Sequence, residues 1–148
     1  MSSFTYDAGS YGIQHRDVDF LSDTIEVILV KSTYTPAKSD TNSVYAANEI
    51  SGVSGYAGGF GGAGRKVLGS KTITNDTVNH RTVFDAADPS AWTLGVGDTI
   101  GGAIIGKKGS ASDATATPLF FLDFTDVPTN GSTFSLIFDA LGLGYTQQ

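Results

Sequence analysis

The chain contains no cysteine, which removes disulfides, thiolate metal sites and thiol nucleophiles together. Its stability must come from packing or from partner chains. Basic residues are also scarce. Nine Lys and Arg stand against fifteen Asp and Glu, for a formal charge of −6, and the longest basic runs are the pairs Arg65-Lys66 and Lys107-Lys108. Nucleic-acid binding needs clustered cations to neutralise phosphates, so no nucleic-acid partner is expected. No apolar run approaches the roughly 18 residues that a membrane helix requires, so no membrane partner is expected either. Met1-Ser2-Ser3-Phe4-Thr5-Tyr6-Asp7 lacks the basic and apolar stretches of a secretory signal. The expected place of synthesis is a cytoplasm.

What the chain does have is apolar content: 40% of its 148 residues are hydrophobic, with nine Phe and six Tyr. That is enough for one domain, which at this size buries roughly 70% of its unfolded surface. Ile25–Val30 is a short β-branched run of near-continuous apolar character, expected as a strand buried on both faces and closed by Pro36. Val44, Ala47 and Ile50 recur at helical spacing after the polar Ser39–Ser43, predicting one short helix that stops near Gly52. Seven of the thirteen residues from Gly52 to Gly64 are Gly, which predicts a flexible, turn-rich loop. Lys71–Thr74 and Arg81–Phe84 read as hairpin arms around a turn at Asn75-Asp76. Thr99–Ile105 reads as a strand whose glycines permit a bulge. Leu119–Phe124 reads as a core strand, and Thr133–Ala140 as an alternating one with Ile137 the exception. About seven strands at short spacing with one brief helix predict an all-β fold, a β-sandwich of the jelly-roll kind. The polar residues 1–20 are expected as a flexible N-terminal arm, and residues 21–148 as the single domain.

Several motifs have a chemical reading and a plainer one. Gly59-Phe60-Gly61-Gly62-Ala63-Gly64 matches the dinucleotide pattern G-x-G-x-x-G, but that motif needs a strand before it and a helix after it. Here a Gly-rich loop precedes and a strand-like segment follows, so a loop is expected and no cofactor. His15 and His80 are the only imidazoles, and neither belongs to an H-x-x-x-H pair or sits with a G-x-S-x-G elbow. Asp17, Asp19 and Asp23 miss the calcium-loop spacing, and no metal is expected. Asp85 and Asp88 form an acid-base pair on paper, though turn chemistry explains both. Asn75-Asp76-Thr77 and Asn130-Gly131-Ser132 match the glycosylation sequon but read as turns. Trp92 and most of the Phe residues are assigned to the core rather than to a sugar platform. The reading is a non-enzyme.

Ser32-Thr33-Tyr34-Thr35-Pro36, Asn48-Glu49-Ile50-Ser51-Gly52, Arg65-Lys66-Val67-Leu68, Lys71–Thr77, Phe84–Asp88 with Trp92, and Thr99–Ala103 follow one another in an order that resembles a family of small tailed-bacteriophage virion proteins. The likeness runs from about Thr24 to Ala140. It implies a structural role on the particle, as a capsid cement or decoration protein bound to the major capsid protein on the head surface, and self-associated, as a trimer. The Gly-rich loop is longer than the resemblance implies. The arm and that loop are the expected contact segments, with Tyr6, Tyr11, His15, Tyr56, Phe60 and Arg65 as the candidate contact residues. The alternative is a tail or fibre module that binds receptor or glycan through Tyr11, Tyr56, Phe60 and Trp92.

Overall fold

The computed structural model describes residues 3–147. In chain order the elements are β1 (Phe4–Thr5), α1 (Asp7–His15), β2 (Ile25–Lys31), α2 (Ser43–Asn48), β3 (Lys66–Val67), β4 (Thr72–Asp76), β5 (Arg81–Asp85), β6 (Trp92–Thr93), β7 (Thr99–Lys107), a 3-10 turn (Asp113–Thr115), β8 (Thr117–Pro128), β9 (Thr133–Phe134) and β10 (Gly144–Gln147). Every strand pairing is antiparallel. A five-stranded sheet runs β1-β8-β7-β2-β3, a three-stranded sheet β10-β5-β4, and β6 pairs with β9. The protein is all-β, with few and short helices.

β2 is buried from Ile25 to Val30, and its alternation sorts the interior into two layers. Val27, Leu29, Ala103, Ile105 and Phe120 join one cluster, together with Trp92, Leu94 and Phe84. Ile28, Val30, Ile104 and Phe121 face the other way, under Tyr6, Val44 and Tyr45. A sheet covered on both faces needs apolar residues at consecutive positions, which is why β2, Glu26 apart, and the start of β8 carry apolar runs. The expected bulge lies in β7, where the register with β8 shifts between Ile100 and Gly102.

The first twenty residues correct the sequence reading. Met1 and Ser2 of the expected arm lie outside the described residues, and the rest is docked. Phe4 and Thr5 pair with Phe121 and Phe120, the Tyr6 N–H donates to the Leu119 carbonyl at 2.9 Å, and Tyr6 and Phe20 are buried. The described residues therefore hold two α-helices where one was expected. Glycine hid the second, because Gly9 and Gly12 read as helix breakers. In the structure Gly9 lets α1 lie directly on β8, since a Cβ there would stand 2.6 Å from the Leu119 Cα, and Gly12 makes room for the Val18 side chain.

Two further boundaries moved. The β4–β5 hairpin pairs Thr72 with Asp85 through to Asp76 with Arg81, so Asn75 and Asp76 are strand residues and the turn follows them. Asp76 makes that turn by accepting from the Asn79 N–H and from Arg81 Nε. After β9 the chain is irregular through Ala140. Leu136 is still buried and Ile137 exposed, so the facing was legible where the pairing was not.

Candidate functional site

Three of the six candidate contact residues are interior. Tyr6 and Tyr56 are buried, and the Arg65 side chain is 1% exposed. None of the three is available to a partner, because each fills the space between the sheet and its covering segments. The other three lie outside. On α1, Tyr11 is exposed and its ring stacks on His15 at 5.1 Å. His15 Nδ1 also lies 3.1 Å from Asp17 Oδ2. Phe60 is exposed at the tip of the Gly-rich loop, with the Lys108 ammonium 5.2 Å from its ring centre. Trp92 is buried, as expected of a core residue, and donates from Nε1 to the Gly64 carbonyl at 2.6 Å.

The acid-base candidates serve the backbone. Asp85 accepts from the Ala86 N–H and Asp88 from the Phe138 N–H. Asp19 accepts from the N–H groups of Leu21 and Ser22, while Asp23 pairs with Lys107 at 2.9 Å. His80 sits in the hairpin turn at φ 52°. Among the described residues no group of three or more His, Cys, Asp or Glu is placed to hold a metal ion.

Beneath the Gly-rich loop lies an arrangement that the sequence did not reveal. Arg65 Nε and Nη2 donate to both oxygens of Glu49 at 2.9 and 2.7 Å. Nη1 donates to Glu26 at 3.1 Å and to Asp113 at 2.7 Å, and Nη2 reaches Asp113 Oδ2 at 2.9 Å. Glu49 accepts two more bonds, from the Tyr56 hydroxyl at 2.8 Å and the Gly59 N–H at 2.9 Å. Tyr56 Oη in turn accepts from the Leu29 N–H at 3.1 Å, capping the outer edge of β2. One guanidinium thus ties β2, the end of α2, the loop and the 3-10 turn together, and the loop is folded around a carboxylate rather than loose. Burial opposes the charge on Arg65, but the bonds from Glu49 and Asp113 outweigh it and raise its pKa. Burial pushes the Tyr56 hydroxyl up as well, as the nearby Glu49 charge also does. These residues stand far apart in sequence, so no local pattern marks the cluster. The one available signal was a pair of glutamates, Glu26 and Glu49, at positions the patterning places inside or next to the core.

An open groove of about 1300 Å³ runs beside β8. Leu122 and Phe124 of β8 form one wall, and the segment from Phe134 to Thr146 forms the other. Three large apolar side chains line it while facing solvent: Ile137 at 75% exposure, Leu141 at 66% and Tyr145 at 45%. Among the described residues β1 pairs with β8 at Phe120 and Phe121, and the groove follows the stretch of β8 beyond that ladder.

No family model, no curated protein and no solved structure matches the chain.

Proposed function

We propose that this chain is a structural protein of a bacteriophage particle, a capsid decoration or cement protein that binds the major capsid protein on the head surface and associates with its own copies as a trimer. The strand-and-turn succession described above supports the family reading. The observation that carries the binding role is the groove, because soluble monomers seldom leave Ile137, Leu141 and Tyr145 exposed together along one recess. Covering a side chain of that kind contributes about 1.5–3 kcal/mol. Many equivalent contacts on one particle then make modest affinities collectively strong. We read the body as a β-sandwich of the jelly-roll kind, supported by Phe84 of the small sheet packing on Phe120 of the large one at 5.5 Å.

The test is binding to purified capsids of the source phage by the double variant Ile137→Lys, Leu141→Lys. Both side chains are exposed, so the fold is expected to survive, and the variant should lose attachment. Attachment equal to wild type by a folded variant removes the groove from the proposal.

A second reading, a glycan-binding tail module, draws support from the exposed Tyr11–His15 stack. The burial of Tyr56 and Trp92 takes away half of its aromatic platform.

A further inference from the structure

The Arg65 cluster has three carboxylates for one guanidinium, and its covering residues locate where the imbalance falls. Glu26 and Gly106 are directly paired across β2 and β7. Gly106 is glycine for a spatial reason: a Cβ there would stand 2.2 Å from the Tyr45 hydroxyl. Tyr45 therefore projects from α2 into the notch that Gly106 leaves, beside Glu26. Its hydroxyl is buried and has no hydrogen-bond partner, and its ring lies under Arg65, 5.6 Å from the guanidinium carbon. With every carboxylate ionised, the acids would outnumber the guanidinium by two negative charges, which the nearby Lys108 offsets only in part, a costly arrangement in a medium that screens poorly.

The groups facing Glu26 are few. Arg65 and Lys108 are the cations, Asp113 the nearby anion, and Tyr45 the neutral neighbour. Glu49 acts through the shared guanidinium. Asp113, on the surface side, is part exposed, and Glu49 already accepts bonds at both oxygens. Glu26 pairs with Arg65 and has the most enclosed position of the three carboxylates.

We infer that Glu26 is a proton-operated clasp on the Gly-rich loop: protonated, it leaves Arg65, Glu49 and Asp113 with one excess negative charge rather than two and lets them close, and on losing its proton it drives the loop that carries Phe60 away from the sheet. Opening takes Glu49 and Arg65 toward water and separates Phe60 from Lys108, so the charge state inside reaches the exposed tip. The direction of the Glu26 shift agrees, since burial raises its pKa against the lowering effect of Arg65 and Lys108. This device stands independently of the particle assignment.

The experiment follows amide hydrogen-exchange protection at Gly59, whose N–H is held by Glu49, as a function of pH in the wild type and in Glu26→Gln. Wild-type protection should fall on raising the pH by up to about tenfold per pH unit while Glu26 titrates, the limit set by one proton. Glu26→Gln should stay closed and flat. Equal pH dependence in the two proteins, or a flat wild type, overturns the inference. Should Glu26→Gln fail to fold, the carboxyl carbon of Glu26 followed by NMR in the wild type decides. A protonated form persisting above the ordinary glutamate range supports the clasp, and titration within or below that range overturns it.

Discussion

The Tyr45 hydroxyl occupies the space where a side chain at Gly106 would begin, one strand across from Glu26. Substituting Gly106→Ala forces the new methyl against Tyr45 Oη, and against the Thr117 carbonyl at 3.1 Å. Overpacking of this kind costs about 1–3 kcal/mol. Urea denaturation should register that loss, and Tyr45→Phe added to Gly106→Ala should restore part of it. A single variant as stable as wild type would contradict the packing described.

Arg65→Met removes the only guanidinium shared by Glu26, Glu49 and Asp113 and leaves their charges without a common partner. Breaking a buried pair by removing one side typically costs about 3–5 kcal/mol. The expected outcome is a destabilisation of that order in chemical denaturation, with protease cleavage appearing first between Gly52 and Gly64. Loss of less than about 1 kcal/mol, within the range of an exposed ion pair, would contradict the role given to Arg65.

Glu26 sets a pH dependence of definite sign. Its folded-state pKa is raised by burial, so the folded chain binds the proton more tightly than the unfolded one. The stability gained this way is fully present below the unfolded-chain pKa of about 4.3 and is lost as the pH rises through the folded value. Unfolding free energy measured across that window should therefore decline less with rising pH in Glu26→Gln than in wild type. A steeper decline in the variant would contradict it.

Asp76 behaves in the opposite sense. Bonds from Asn79 and Arg81 hold its carboxyl at about 2, so what it contributes is present above its unfolded-chain value and is lost as the pH falls through about 2. NMR titration should place its midpoint there, and Asn79→Ala should move the midpoint up. An ordinary aspartate midpoint in wild type would show that the hairpin turn is not organised around this side chain.

How much of this was legible depended on whether the determining contact was local. The buried strand at Ile25–Val30, the short helix at Ser43–Asn48, the hairpin arms and the core position of Trp92 could be read because periodicity and β-branching act over neighbouring residues. The helix at Asp7–His15 could not, because Gly9 is explained by Leu119, more than a hundred residues away, and Gly12 by the packing of Val18 against the helix. The Gly-rich loop misled for a related reason. Its composition is that of a mobile segment, yet Glu49, Tyr56 and Arg65 supply an internal set of hydrogen bonds that composition does not carry. Arg65 itself, a candidate surface contact by its charge, is interior because three carboxylates from separate elements converge on it.

The central functional claim is a structural place on a capsid, and counting copies tests it most directly. Quantitative gel stoichiometry or image reconstruction of purified particles should find the chain on the head surface in a fixed ratio to the major capsid protein. Particles that lack it, or that carry it only as a few copies at the tail, would contradict the account.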